Sequence, residues 1–286
     1  MKKFRKLIPA LAMLLVSATM MGTSTYAWFS MNTAVQATGM QVQAVAEDGI
    51  VIANSAKASW SNTATAQVTS ATLVPTSAAA VTSPAFVHNS STNADQAQGN
   101  QASASYTDLS LTWNTNNSEG IGYEDANSNS TLDNGEKSYV LLNNFFIKSS
   151  GATITGKTLY INDVTVTSSA SLLAIDNSLR VLVVVGSTAY IYAPVINAGS
   201  GTTTLSYNYK ETTSVTALNA TAAEGYDKST GITTIPNTDA DAINAKIYIY
   251  FEGEDANCKS TNISGITVDT LTVTVNFGIE QTHANP

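Results

Sequence analysis

The residues from Asp125 to Glu136, DANSNSTLDNGE, carry oxygen-bearing side chains at a spacing that can bind a hard cation. These side chains stand at the first, third, fifth, ninth and twelfth positions, which is the ligand spacing of an EF-hand calcium loop. In that loop the last Glu holds the ion with both carboxylate oxygens, and the seventh residue contributes its backbone carbonyl. The sequence therefore predicts a structural Ca²⁺ site with the ligands Asp125, Asn127, Asn129, Thr131, Asp133 and Glu136.

The sixth position of this stretch departs from the EF-hand pattern. Ser130 stands where the pattern has Gly for a sharp turn, and only three of the ligands are carboxylates, so we expect a modest affinity. No flanking helix is evident, which places the loop between β elements. The alternative interpretation is an Asn-rich surface turn, because Asn, Ser and Asp are also preferred in turns.

Residues that could support catalysis are few. His88 and His283 are the only histidines and each is isolated, and Cys258, the single cysteine, has no neighbouring His to activate it. Neither a zinc-binding H-E-x-x-H nor a G-x-S-x-G nucleophile elbow occurs. We therefore expect no enzymatic activity. The acidic group that begins at Glu252 is interpreted as a turn that keeps a sheet end solvated, with a cation site as the alternative.

Alternating apolar and polar residues predict β-strands along much of the chain. Such runs include 35–45 and, beyond Tyr139, YVLLNNFFIKS, LYINDVTVTS and KIYIYFEGE. The continuous apolar run Val181 to Val185 predicts a strand buried on both faces, and Ser171 to Asn177 predicts a short helix. The predicted fold is all-β: a jelly-roll-like β-sandwich with one or two short helices and long polar insertions at about 55–138 and 197–241.

The first residues have the sequence features of a secretory signal. A basic start precedes an apolar stretch from Leu7 to about Met21, and small residues flank Tyr26 as in an A-x-A cleavage site. We place the cut after Ala27, which predicts a signal peptide at 1–27, one secreted domain at 28–286 and membrane contact only before cleavage. The removed segment holds four basic residues and no acidic one, so the mature chain is more acidic than the −8 of the whole sequence. Such a charge argues against nucleic acid as a partner and favours divalent cations.

The junction at residues 25–30, TYAWFS, resembles that of the TasA/camelysin family of exported proteins in Gram-positive bacteria. Those proteins are cut after the Ala by a dedicated signal peptidase and continue directly into a β-strand. This chain departs from the family pattern at Trp28, where Tyr is usual, and at Met31 and Asn32, where an acidic residue usually follows the Ser. The resemblance covers the residues around the cleavage site.

The resemblance implies a jelly-roll domain that assembles into extracellular fibres by donor-strand complementation, in which the N-terminal strand of one subunit fills a groove in its neighbour. Residues 28–45 have the alternation that such a strand needs, and a free aromatic terminus is costly to leave in water. The assembly strand is then represented by Trp28, Phe29, Val35, Met40 and Val42. The alternative is that this segment pairs within its own domain as an edge strand.

Three functions follow from these features. The leading hypothesis is a secreted structural protein, a subunit of an extracellular fibre or biofilm matrix whose partner is itself or a related surface subunit. The first alternative is a monomeric surface adhesin or glycan-binding module, in which Trp60 and Trp113 could stack on sugars. The second alternative is a hydrolase with a site assembled from residues distant in sequence.

Overall fold

The computed structural model describes most of the chain beyond the predicted signal peptide. All described residues belong to one compact unit, Ala34–Pro286. The predicted signal peptide, its cleavage residue Ala27 and the predicted helix Ser171–Asn177 lie outside the described residues. Those described are 35–37, 41–46, 49–54, 57–66, 71–80, 84–89, 106–116, 119–133, 136–151, 156–168, 178–195, 206–212, 231–253 and 271–279.

The described residues form eighteen β-strands and contain no helical element, which confirms the prediction of an all-β protein. The same residues include no helix long and apolar enough to cross a membrane. The strands are β1 Val35–Ala37, β2 Gln41–Ala46, β3 Ile50–Asn54, β4 Thr63–Thr65, β5 Ala71–Leu73, β6 Ser77–Ala80, β7 Ala85–Asn89, β8 Tyr106–Asp108, β9 Thr112–Asn116, β10 Glu119–Tyr123, β11 Ser138–Ser149, β12 Thr158–Ser168, β13 Leu179–Val185, β14 Thr188–Val195, β15 Ser206–Thr212, β16 Thr233–Thr234, β17 Ile243–Phe251 and β18 Leu271–Gly278.

Fifteen of the strands form one sheet, whose main order is β1-β5-β11-β17-β13-β14-β15-β12-β18-β2-β4. Strands β3 and β10 also pair with β11, β9 pairs with β10, and β16 pairs with β12. Most neighbours are antiparallel, but β2 runs parallel to β18 and β5 runs parallel to β11. A second sheet has the order β6-β7-β8.

The large sheet folds back on itself. Strands β1 and β2 lie near opposite ends of its order, yet Ala37 and Gln41 are only four residues apart, so their Cα atoms are at most about 14 Å apart. One core cluster accordingly collects fully buried residues from distant parts of the order, among them Val42, Phe145 and Val275. Two layers of one sheet enclosing a core are consistent with the predicted sandwich, while the jelly-roll connectivity stays a prediction.

Strands in the middle of this sheet are buried on both faces. All seven residues of β13 are buried. Val181 and Val183 join the core between the two layers, whereas Leu182 and Val184 join a second core with Phe86 of β7. This result confirms the prediction from the continuous apolar run. The outer face of β13 is buried because β6, β7 and β8 form a layer over the main sheet.

Both polar insertions contribute to the architecture. The segment 55–138 contains the strands from β4 to β10 and supplies the outer layer that covers the second core. The segment 197–241 contains β15, which lies in the main sheet between β14 and β12. No strand was expected there, because Ser206–Thr212 stands in a Ser- and Thr-rich context whose partners are distant in sequence.

Candidate functional site

The predicted calcium loop connects two paired strands. Strand β10 is antiparallel to β11, and the pairing extends one step further because the Glu124 N–H donates to the Lys137 carbonyl at 3.0 Å. Residues 125–136 therefore leave and re-enter the sheet at the same point. The loop lies between β elements, and it is described except for residues 134 and 135.

The first half of the loop winds around Asp125. The carboxylate oxygens of Asp125 accept hydrogen bonds from the N–H of Asn129 at 3.1 Å and of Ser130 at 2.7 Å. The side-chain oxygen of Asn127 accepts from Asn129 N–H at 3.2 Å, and that of Asn129 accepts from Thr131 N–H at 2.8 Å. Successive polar side chains thus bond to the backbone ahead of them and turn the chain around one centre.

Three of the predicted ligands meet at a single oxygen atom. Asp133 Oδ2 accepts a hydrogen bond from the Asn127 side-chain amide at 2.7 Å and another from the Asn129 amide at 2.8 Å. These two amides hold the pKa of the Asp133 carboxyl below its usual range, because they stabilise the ionised form. The third, fifth and ninth positions of the loop therefore converge, as the calcium pattern requires.

Glu136 turns both of its oxygens back into the loop. Oε1 accepts a hydrogen bond from Ala126 N–H at 3.0 Å, and Oε2 accepts one from Asp133 N–H at 2.9 Å. The carboxylate therefore bridges the two halves of the loop. A Glu that grips an ion with two oxygens needs this inward orientation.

The donor set suits a hard cation, since the loop offers carboxylate and amide oxygens and no sulfur or imidazole. Within the described part of the chain, however, no three Asp, Glu, His or Cys side chains are grouped closely enough to hold an ion. In this structure the carboxylate oxygens of Asp125, Asp133 and Glu136 accept hydrogen bonds from backbone and side-chain N–H groups instead. Rotation of the two Asn amides would turn their oxygens toward Asp133 in place of their NH₂ groups.

Ser130 adopts the backbone conformation that the calcium pattern assigns to Gly. Its φ angle is 58°, in the left-handed region, and Ser128 has a φ of 59°. A residue with a Cβ is strained in this region, whereas glycine enters it freely. The sharp turn that the missing glycine put in question is therefore present, at the expense of backbone strain.

Replacing Ser130 with Gly is expected to stabilise the domain by about 0.5–1 kcal/mol, because it removes this strain. Urea unfolding without metal measures the effect. Ser110→Gly is the matched control: Ser110 is also an exposed loop serine, but its φ is not positive, so the added glycine freedom should destabilise slightly. Equal stabilities for the two variants would contradict the prediction.

A groove of about 620 Å³ runs beside the loop. Its polar lining carries three carboxylates, those of Asp108, Glu124 and Asp125. Glu124 accepts a hydrogen bond from the Tyr139 hydroxyl at 2.6 Å, and burial together with this bond raises the pKa of that tyrosine. The loop side chains that line the groove therefore belong to an acidic surface, which attracts cations.

The predicted assembly strand is described in part. Val35 lies in β1 and pairs with Leu73 of β5. Val42 lies in β2, is fully buried, and pairs in parallel register with Val273 of β18. Trp28, Phe29 and Met40 lie outside the described residues. Val35 and Val42 thus occupy strands that pair in different parts of the sheet order.

The remaining candidate side chains have structural contacts. Trp113 packs against the second core, edge-on to Tyr248 with ring centroids 6.1 Å apart, and the Lys148 ammonium lies 4.6 Å from the Trp60 ring centroid. The interpretation of Glu252 as part of a solvated turn is wrong, because this residue is 1% exposed and accepts a hydrogen bond from Ser77 of β6. Strand β6 covers it, and sequence alone showed no such partner.

Comparison with protein-family models, with curated proteins and with solved structures returns no match for this chain. Its function is therefore inferred from its own residues and their geometry.

Proposed function

We propose that the protein is a secreted structural subunit of an extracellular fibre or biofilm matrix, in which strand β2 of one copy completes the sheet of the next. Ca²⁺ held by the loop Asp125–Glu136 has a structural role in this subunit. The observation that carries the proposal is the position of β2, an N-terminal strand inserted between two strands from later in the sequence.

Strand β2 has the contacts of a complementing strand. Its backbone pairs with β18 along its whole length, from Gln41 with Thr272 to Ala46 with Phe277, and with β4 on its other edge. Val42 and Ala44 are fully buried, whereas Gln43 between them is part-exposed. Main-chain bonds along both edges and alternate side chains in the core are the features of recognition by β-augmentation.

The connectivity of β2 favours exchange between copies. Among the described strands only β1 precedes it, so β2 can leave its groove without threading through a loop. Its parallel partner β18 is far from it in the sequence. Such non-local strand pairs form slowly, because the entropy cost of closing the long loop between the strands comes before the stabilisation from pairing. A neighbouring copy can therefore supply the same strand, and a head-to-tail contact of this kind extends into a filament when it does not close.

A cysteine pair distinguishes pairing within a chain from pairing between chains. Gln43 and Thr274 are register partners on β2 and β18, and both are part-exposed, so cysteines at these positions meet the spacing that a disulfide requires. The variant is the mature chain from Trp28 with Gln43→Cys, Thr274→Cys and Cys258→Ser, concentrated to assembly with calcium, imaged by negative stain and then oxidised.

The proposal predicts fibres whose subunits are joined covalently, seen as a ladder of multiples on a non-reducing gel that collapses on reduction. Each single-cysteine variant is the control and can give dimers at most. Fibres with disulfides only within chains would exclude β2 as the exchanged strand. A monomer at high concentration would exclude assembly and leave the adhesin or glycan-binding module as the function to pursue.

A further inference from the structure

Residues 61–66, which contain β4, form a strap along the outer edge of β2. Within the described part of the chain, β4 is the last strand of the sheet order and pairs with β2 alone. Two backbone hydrogen bonds of 2.8 Å extend this contact at its ends, since Ala46 N–H donates to the Asn62 carbonyl and Ala66 N–H donates to the Val42 carbonyl. Strand β2 can therefore leave the sheet only after its bonds to the strap have broken.

The strap contributes little apolar surface to the core. Four of its six side chains are exposed, Ala64 is part-buried against the main core, and Ala66 is buried. Its first residue, Ser61, exchanges two backbone hydrogen bonds with Ile52 of β3. Segments with few buried apolar contacts open at a small fraction of the free energy of global unfolding. The strap can therefore open from β2 while the rest of the domain stays folded.

Two lysines fasten the chain that leads into the strap to β11. The Lys148 ammonium lies 4.6 Å from the centroid of the Trp60 ring, directly before the strap, and forms an ion pair with Asp239. The Lys57 ammonium lies 4.0 Å from the Phe146 ring centroid and donates to the Asp239 carbonyl at 3.2 Å. The contacts of Lys148 with Trp60 and Asp239 therefore act as a latch at the base of the strap.

We propose that the strap controls how fast β2 is exchanged between copies, and that the Lys148 latch sets the rate at which the strap opens. This inference rests on the proposed function, in which β2 of one copy completes the sheet of the next. The strap makes the same bonds to β2 whichever copy supplies it. A contact that is equal in two states changes the barrier between them and not their populations. The strap therefore slows the entry and the exit of β2 by the same factor.

The test is Lys148→Met in the mature chain from Trp28, since Met keeps an apolar stem and removes the charge. Amide hydrogen exchange of the dilute monomer, followed by NMR, reports opening through the N–H groups of Ala46 and Ala66, which bond across the contact. Loss of the ion pair and the ring contact should speed exchange at both groups about tenfold. Fibre growth, followed by light scattering, should accelerate about tenfold as well, while the concentration at half-assembly stays unchanged.

Two further variants separate the latch from general effects of charge. Lys246→Met is the matched control: Lys246 is exposed on the neighbouring strand β17 and pairs with Asn144, so it lies on the same face of the sheet as Lys148. It removes the same charge and should leave both rates at the wild-type value. Asp239→Asn removes only the ion pair, from an exposed side chain, and should raise both rates about threefold.

The other outcomes overturn the inference in distinguishable ways. Wild-type hydrogen exchange in Lys148→Met would show that the latch does not hold the strap. Faster hydrogen exchange without faster fibre growth would remove the strap from strand exchange and leave the proposed function standing. A changed concentration at half-assembly, or equal acceleration by Lys246→Met, would show that Lys148 acts on fibre stability or through charge alone. Absence of fibres from the wild-type chain would refute the proposed function, and the role of the strap with it.

Discussion

Replacing Val42 with Asp is expected to unfold the domain, whereas Gln43→Asp should leave it folded. Val42 is fully buried in the core between the layers, and its neighbour Gln43 is part-exposed on the same strand. Loss of the buried valine contributes about 1.5–3 kcal/mol. Burial of a carboxylate without a partner adds several kcal/mol. The sum is comparable to the 5–15 kcal/mol stability of a typical domain.

The measurement is urea unfolding of both variants beside the wild type, monitored by circular dichroism. Gln43→Asp places the same charge on the same strand, so it controls for the loss of strand propensity and for added negative charge. A shift of no more than about 1 kcal/mol is expected for it. If both variants unfold at the same urea concentration, β2 does not contribute Val42 to the core and the proposed assembly strand is wrong.

The unfolded variant also provides a test in trans. Its acceptor groove between β18 and β4 keeps the wild-type sequence, so a synthetic peptide of residues 33–48 should restore folding if the strand can come from another molecule. The same peptide with Asp at position 42 is the control and should have no effect. If neither peptide restores folding, even at high peptide concentration, the result would contradict donor-strand exchange.

The main strands could be predicted because their signal is local. Five consecutive apolar residues from Val181 to Val185 leave no polar face for solvent, which forces burial on both sides. Strand β15 escaped prediction because its pairing with β14 and β12 depends on residues far away in sequence. The parallel pairing of β2 with β18 escaped for the same reason, since periodicity shows that a strand exists and not which strand it joins.

The calcium loop, like the strands, could be predicted from the sequence only in part. The spacing of Asp125, Asn129 and Asp133 is a local property, and the structure shows these positions wound around one another. The orientation of the two Asn amides follows from their hydrogen bonds to Asp133, and the spacing does not show whether an amide presents its oxygen or its NH₂ group. Ser130 was predictable only in part. Its mismatch with the calcium pattern is visible in the sequence, but only the structure shows that its backbone adopts the left-handed conformation.

Calcium is expected to stabilise the wild-type domain, and Glu136→Gln is expected to remove most of that effect. At a free calcium concentration 100 times the dissociation constant, binding to the folded state alone adds about 2.7 kcal/mol. Loss of one oxygen of the bidentate carboxylate should weaken binding by about 100-fold. At the same calcium concentration the variant would then gain only about 0.4 kcal/mol.

Urea unfolding in calcium and in chelator gives this gain for each variant separately. The separation matters because Glu136 also accepts hydrogen bonds from Ala126 and Asp133, so Gln at this position should lower stability without calcium by about 1 kcal/mol. Asp108→Asn is the matched control, since Asp108 lines the same acidic groove but stands outside the loop. It removes the same charge and should keep the full calcium gain. Equal calcium-dependent gains in stability for Glu136→Gln and Asp108→Asn would place the stabilising ion outside the loop, because Glu136 is predicted to bind the ion directly and Asp108 is not.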